Sequence, residues 1–185
     1  MARNVEIKAR AGNVEELTAR VARMATSGPE EIAQDDTFFR CTEGRLKLRA
    51  FSDGAGQLIF YKRPDTEGPK TSSYRIAPVK DADAMRETLA QALRQAGRVR
   101  KRRTLFLIGR TRVHIDSVED LGDFLELEVV LEEGEPEEEG VREAEELLAA
   151  LEIPQSALVD RAYVDLLEAV GKEASSRPEA SHRKP

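Results

Sequence analysis

Charged and apolar residues alternate with a period of two in five separate segments of this chain. Because successive side chains of a β-strand point to opposite faces, each segment is expected to form a strand with one charged and one apolar face. The charged members are Glu6-x-Lys8, Arg45-x-Lys47-x-Arg49, Lys101-x-Arg103, Arg110-x-Arg112-x-His114-x-Asp116 and Glu126-x-Glu128. Most segments are cationic and the last is a carboxylate pair. These residue types are more specific than a solvent-exposed strand face needs. The pattern predicts strand faces that together hold a polyanion with metal ions.

Turn and cap signals between these segments predict about eight strands with short, antiparallel links and four helices. The strands are expected near 4–9, 32–41, 45–51, 58–63, 72–79, 99–108, 110–117 and 123–131. The helices are expected at 13–25, from the cap Asp81 to Gly97, at 140–151 and near 156–170. About eight strands can close into a barrel around a small ligand. The charged face is therefore either a solvated outer face or the lining of a closed barrel.

The C-terminal segment differs in composition from the rest of the chain. Residues 171–185 contain almost no apolar side chain, which is typical of a disordered tail. The folded domain is therefore expected to span residues 1–170.

Composition limits the partners and the location of the chain. The 185 residues carry a net charge of −6, whereas domains that bind nucleic acids are usually basic, so we expect no nucleic-acid partner. No apolar run reaches the roughly 18 residues that cross a membrane, and the N-terminus lacks the apolar segment of a signal peptide. We therefore expect no membrane partner and a cytoplasmic location. Cys41 is the only cysteine and is expected to be a small core residue.

If the sheet closes, many basic side chains converge in its interior. Buried cations without partners are costly, so such a set requires an anion with many oxygens. Arginine binds phosphate oxygens in a bidentate manner and lysine acts as a point charge, so a triphosphate fits. The candidate phosphate-binding residues are Lys8, Arg45, Lys47, Arg49, Lys62, Arg75, Lys101, Arg103 and Arg112.

Acidic side chains fall on the same predicted strand faces as the basic ones. The candidate metal ligands are Glu6, Asp116, Glu126 and Glu128. Ligation by carboxylate oxygens alone suits Mg²⁺ or Mn²⁺, and Mg²⁺ commonly binds one or two carboxylates together with substrate phosphates. His114 is the only histidine outside the tail, which argues against a nucleophilic triad, and a Walker A motif is absent.

These segments resemble the CYTH family, the triphosphate tunnel metalloenzymes, over about residues 3–168. The family signature Glu-x-Glu-x-Lys stands here as Asn4-Val5-Glu6-Ile7-Lys8. Further matching segments are 36–39, Arg45-Leu46-Lys47-Leu48-Arg49, 99–103, 111–116 and Phe124-Leu125-Glu126-Leu127-Glu128. The resemblance implies an α+β fold, in which an antiparallel eight-stranded closed barrel forms the tunnel and helices pack outside.

The resemblance also implies roles for individual residues. Glu6, Asp116, Glu126 and Glu128 would bind Mg²⁺ or Mn²⁺, and the nine basic residues would bind the phosphates. Glu6, Lys8, Arg112 and Glu128 would be catalytic. Asn4 replaces the first signature glutamate and brings no negative charge to the metal site.

Two reactions fit such a site, and the sequence leaves both open. A class IV adenylyl cyclase converts ATP to cyclic AMP and pyrophosphate, whereas a hydrolase cleaves inorganic triphosphate, thiamine triphosphate or a nucleotide. A non-catalytic module that binds polyphosphate or a nucleotide is the alternative, and Asn4 is its best support. The expected ligand is a small molecule, and the expected oligomeric state is a monomer or a homodimer.

Overall fold

The computed structural model describes residues 1–65 and 68–176, which form a ring of eight strands with four α-helices outside it. The strands are β1 (Ala2–Arg10), β2 (Ser27–Phe39), β3 (Arg45–Ala50), β4 (Gly56–Lys62), β5 (Lys70–Val79), β6 (Gln95–Ile108), β7 (Thr111–Val118) and β8 (Gly122–Leu131). The helices are α1 (Val14–Met24), α2 (Ala82–Ala92), α3 (Glu137–Ala150) and α4 (Tyr163–Ser176), and a 3₁₀ turn lies at Gln155–Ala157. The α+β architecture expected from the sequence is confirmed.

The ring closes because β1 pairs with β5 on one side and with β8 on the other. Around the ring the order is β1-β5-β4-β3-β2-β6-β7-β8, and every neighbouring pair is antiparallel. Residues directly opposite each other in two strands share a face. Glu128 lies opposite both Glu6 and Arg112, so these three side chains are on the inner face together.

The largest hydrophobic core lies outside the barrel, between its wall and helices α1 and α3. Val5, Val113 and Leu127 are each 0% exposed on the outer faces of β1, β7 and β8. They pack in one cluster with Leu17 of α1 and Leu148 of α3. Burial of such apolar surface stabilises the fold by about 25 cal/mol per Å². Because this core is external, the interior of the barrel can hold many polar and charged side chains beside apolar ones such as Ile59 and Val99.

Two smaller apolar clusters pack the other helices, α2 and α4, against the barrel. Leu89 of α2 packs near Leu48 of β3, and Val164 of α4 packs near Phe124 of β8. Val99 of β6 joins the cluster under α4. Among the described residues, no helix combines the length and the apolar character that a membrane crossing requires.

Gly97 lies within β6, so its expected position at the end of α2 is wrong. The helix ends at Ala92, where the backbone N–H of Leu93 donates to the carbonyl oxygen of Leu89. A Cβ atom on Gly97 would lie only 2.5 Å from Cγ2 of Val164. Glycine at this position therefore allows α4 to approach β6 closely.

The last helix begins later and ends later than the sequence predicts. Leu158 forms a bridge with Ala9, and the backbone N–H of Val159 donates to Lys8 at 2.9 Å. These bonds hold the preceding segment against β1, so α4 begins only at Tyr163. The helix continues to Ser176, past residue 170, where the folded domain was expected to end; the tail residues 177–185 lie outside the described residues.

Cys41 is exposed, which corrects its expected position in the core. Its thiol lies 3.1 Å from the carbonyl oxygen of Glu43, in the turn that follows β2. Phe39, at 3% exposure, is the last buried residue of that strand. The alternation of β2 therefore ends two residues before the cysteine.

The close packing of α3 can be tested at Gly140, where a Cβ atom would lie 2.7 Å from Leu131 and 2.8 Å from Val5. We expect Gly140→Val to lower the free energy of unfolding in urea by about 1–3 kcal/mol, because the added methyl groups overpack this contact. Gly171→Val is the matched control, since no atom lies within 4 Å of its Cβ position. A change within about 0.5 kcal/mol is expected for the control. Equal losses in both variants would contradict this packing.

Candidate functional site

A cavity of about 340 Å³ runs inside the barrel. Every strand contributes alternate side chains to its lining, and Ala162 and Tyr163 contribute from the start of α4. Seven basic and four acidic side chains line it: Lys8, Lys47, Arg49, Arg63, Lys101, Arg103 and Arg112, with Glu6, Asp36, Glu126 and Glu128. The lining therefore has an excess of positive charge, although the whole chain carries a net charge of −6. This contrast makes the cavity a candidate anion site.

The structure brings together six of the nine basic residues that the sequence predicts as phosphate ligands. They are Lys8, Lys47, Arg49, Lys101, Arg103 and Arg112. Lys62 and Arg75 do not reach the cavity, so their expected positions in the tunnel are wrong. Lys62 lies opposite Ser73, and Arg75 lies opposite Phe60, on the outer face of β4 and β5. The inner residues of β4 are the odd-numbered ones, such as Tyr61, and those of β5 are the even-numbered ones, such as Tyr74. Lys62 on β4 and Arg75 on β5 therefore both point outward.

Arg45 occupies a different environment from the six lining residues. Its register partner Tyr61 is on the inner face, but its guanidinium donates to Asp165 of α4 at 2.9 Å and to Asp65 at 2.8 Å. The side chain therefore links β3 to the helix at the end of the tunnel and is not part of the cavity lining.

Arg63 is a tunnel residue that the sequence reasoning missed. Its side chain is 4% exposed and forms an ion pair with Glu6. It follows Tyr61 at a spacing of two, immediately after the end of β4. Continuing the period of two beyond the predicted strand would have identified it.

Asp36 neutralises the basic pair on the neighbouring strand β3. Its carboxylate is 2% exposed and accepts hydrogen bonds from Lys47 at 2.8 Å and from Arg49 at 2.8 and 2.9 Å. Burial opposes ionisation of this carboxyl, but Arg49 and Lys47 outweigh it and hold its pKa well below the usual value. A charged Asp36 therefore fixes both cations in the wall.

Asp116 does not join Glu126 and Glu128 in a group of possible metal ligands, although the sequence predicts it as a metal ligand. It is 0% exposed and accepts hydrogen bonds from Lys101 at 3.1 Å, from Arg103 at 2.7 Å and from the Tyr163 hydroxyl at 3.0 Å. Its register partner is Phe124, near the start of β8. The bonds to these donors hold Asp116 outside the cavity lining. There it orients Lys101, Arg103 and Tyr163, the first residue of α4.

The cavity contains one cluster of possible metal ligands among the described residues, formed by His114, Glu126 and Glu128. One ligand atom from each residue lies within 4.8 Å of the others. The Nδ1 atom of His114 is buried and has no hydrogen-bond partner in the described part of the chain; it lies 3.7 Å from a Glu126 oxygen and 3.8 Å from a Glu128 oxygen. Burial and the nearby Arg103 lower the pKa of His114, which favours the neutral imidazole that can bind a metal. His114 was not among the metal ligands expected from the sequence.

Glu6 and Asn4 add oxygen atoms on β1, beside this cluster. Burial, and then repulsion from Glu126, raise the pKa of Glu6. The Oδ1 atom of Asn4 is buried without a hydrogen-bond partner among the described residues and belongs to a side chain that lines the same cavity. Mutually repelling carboxylates, an unpaired carbonyl oxygen and a neutral imidazole form a donor set that suits a divalent cation.

Lys8 and Lys101 connect the cluster to α4. Lys8 forms an ion pair with Glu126 at 3.1 Å, and its Nζ atom lies 4.2 Å from the centre of the Tyr163 ring. The Nζ atom of Lys101 lies 5.0 Å from the same ring centre. Burial and repulsion from Arg103 lower the pKa of Lys101 to about 8. Tyr163 thus covers two cations at one end of the cavity.

The fold and sequence have known relatives. The adenylate cyclase CyaB of Aeromonas hydrophila is 26% identical over 175 residues, which are 89% of this chain and 88% of that protein. A Pyrococcus horikoshii structure has a TM-score of 0.79 at 21% identity and covers 88% of this chain and 98% of its own.

A Hippeastrum structure has a TM-score of 0.60 at 15% identity and covers 98% of this chain and 100% of its own. That protein was considered an adenylyl cyclase and is described as having a dominant triphosphatase activity. The family model described as the CYTH domain matches residues 2–163. Since this match covers most of the chain and the barrel described above, the chain belongs to the CYTH domain family.

Proposed function

We propose that this chain is an enzyme that processes a triphosphate with Mg²⁺ or Mn²⁺. The observation that carries the proposal is the presence of a net-positive lining and a cluster of metal-binding donors in one cavity. A linear triphosphate carries several negative charges in a row, which basic side chains on several strands can match. The same chain of phosphates can share a metal ion with nearby carboxylates.

Several basic residues of the lining are held in fixed positions by acidic partners, which supports this proposal. Arg49 is held by Asp36, Arg103 by Asp116 and Glu126, and Arg112 by Glu128 at 2.9 Å. Fixed guanidinium groups stabilise negative charge without first having to reorganise. We infer that they bind the phosphate oxygens and stabilise the charge that develops during the reaction.

Glu126, Glu128 and His114 would hold the metal ion, with Glu6 and Asn4 as further oxygen ligands. When bound, the metal would neutralise charge on the phosphate oxygens and orient the chain. Asn4 offers a carbonyl oxygen where the family signature has a carboxylate, so the site has one negative charge fewer. We propose that this lowers metal affinity without removing the ligand position.

Two reactions remain candidates, and each has support. The dominant triphosphatase activity of the Hippeastrum protein favours hydrolysis, because it occurs in the same barrel. The name of the Aeromonas relative favours cyclisation of ATP. Fold alone does not select the nucleophile, so the products must decide between water and the ribose 3′-hydroxyl.

Product analysis tests the proposal directly. The purified protein is incubated with ATP, thiamine triphosphate or inorganic triphosphate, with Mg²⁺ and separately with Mn²⁺. We expect orthophosphate from hydrolysis, or cyclic AMP and pyrophosphate from cyclisation. Glu128→Gln should reduce the rate about 10- to 100-fold, because a metal ligand loses its charge.

The matched control is Glu133→Gln, at an exposed position far from the lining. It should retain the wild-type rate. If no product forms with any of these substrates, the chain is a binding module. If Glu128→Gln is fully active, the cluster is not the metal site.

A pair of arginine variants tests which face of the wall binds the substrate. Arg112 lines the cavity, whereas Arg75 is on the outer face. We expect Arg112→Ala to lower kcat/KM for the best substrate by about 10²–10³-fold, because it removes a fixed positive charge. Arg75→Ala should leave kcat/KM unchanged. Similar losses in both variants would contradict the assigned faces.

The lowered pKa of Lys101 predicts pH-dependent binding. In the free protein Lys101 loses its proton as the pH rises through about 8, and only its protonated form attracts phosphate. The affinity for inorganic triphosphate, measured by titration calorimetry, should therefore be highest below this pH and fall above it. Lys101→Arg should flatten the profile, since a guanidinium remains protonated. Identical profiles for the two proteins would rule out this role of Lys101.

A further inference from the structure

A second cavity of about 610 Å³ lies beside α2, on the outer side of the wall formed by β2, β6 and β7. It is a gap in the side-chain layer at positions where the sheet has small residues. Arg102 of β6 lies opposite Ala33 of β2 and opposite Ser117 of β7. These two small side chains leave space between the arginine and its neighbours.

The two cavities meet where the wall is interrupted. Gln34, Phe51 and Lys101 line both of them. The ladder between β2 and β3 stops at the pair Asp35 and Ala50, so Gln34 is the first residue of β2 without a neighbour on β3. The outer cavity therefore adjoins the tunnel at Gln34, beside the end of β3.

Gln34 has an unmet hydrogen-bonding requirement at this junction. The residue is 6% exposed, and its Oε1 atom is buried without a hydrogen-bond partner among the described residues. A buried polar atom without a partner is costly, and such atoms in native proteins often face a ligand or water. A carboxamide has a donor beside an acceptor, which complements the N6 and N7 atoms of adenine.

The side chains around the junction suit a flat ring. Phe51 supplies an aromatic side chain, and four arginines line the outer cavity: Arg86, Arg98, Arg100 and Arg102. Arg98 is fixed by Asp35 through a bond of 2.7 Å. Guanidinium planes and aromatic rings both stack on nucleobases, and such stacking is worth about 1–3 kcal/mol per base.

We propose that the outer cavity is a subsite for the adenine ring of a nucleoside triphosphate whose phosphates lie in the tunnel. Gln34 recognises the edge of the ring, and Phe51 and the arginines contact its faces. The inference rests on the proposed function, because the phosphate chain in the tunnel directs the base towards this cavity.

Titration calorimetry in EDTA tests the subsite without turnover. The probes are ATP, GTP and inorganic triphosphate. We expect the wild-type protein to bind ATP at least tenfold more tightly than triphosphate. Ser117→Trp, which fills the cavity from the outer face, should weaken ATP binding about tenfold and leave triphosphate binding within about twofold.

Two further variants refine the test. Gln34→Met removes the carboxamide at similar size and should weaken the binding of ATP more than that of GTP. Ala77→Trp is the matched control, because Ala77 is exposed on the outer face of β5, on the opposite side of the ring. It should bind both ATP and triphosphate as the wild type does. Thermal melts of each variant verify folding.

The possible failures are distinguishable. If triphosphate binds to the wild-type protein neither in EDTA nor with Mg²⁺ or Mn²⁺, the proposed function is wrong. If triphosphate binds but ATP binds no more tightly, or if Ser117→Trp weakens both ligands equally, the subsite is wrong and the proposed function stands. Equal losses of ATP and GTP in Gln34→Met would overturn the recognition of adenine.

Discussion

Charge neutralisation by two buried carboxylates is the interaction on which the interior of this barrel depends. Asp36 holds Lys47 and Arg49, and Asp116 holds Lys101 and Arg103. Removing a charged group from water costs several kcal/mol unless partners surround it. Each carboxylate serves two cations, so the pairs are satisfied geometrically while positive charge remains in excess. The wall can therefore keep its cations fixed before any phosphate arrives.

The outer face of the barrel is apolar beneath the helices, in contrast to the charged lining. Its apolar side chains are covered by helices, and the largest core lies between the strands and α1 and α3. Most of the apolar burial that stabilises the fold is thus separated from the residues of the cavity. The same strands carry both sets of side chains, because the period of two alternates them between the faces.

That period explains why much of the fold and site could be predicted from the sequence. The eight strands and the tunnel positions of Glu6, Lys8, Arg103 and Glu128 follow from alternation and from the resemblance to the CYTH family. The predictions failed where an apparent alternation had the wrong phase, as at Lys62.

Other predictions were wrong because the period of two does not specify the position of a residue along the barrel axis or its contacts. Asp116 and His114 have the same inner phase, yet Asp116 is surrounded by donors opposite the start of β8, whereas His114 lies beside Glu126 and Glu128. The break at Gln34 depends on the register of β2 on β3 and on how far β2 extends beyond the end of β3, which the local sequence does not specify. Position along the barrel axis is set by the stagger of all strands together.

The external core has a consequence for how such barrels can change over time. A substitution in the lining alters charge, size or hydrogen bonding inside the tunnel but removes little of the apolar packing beneath the helices. Descendants of one ancestral barrel could therefore exchange lining residues, as at Asn4, and acquire new substrates while the scaffold persists. The Hippeastrum barrel shares the fold at 15% identity, so very different sequences can form this architecture.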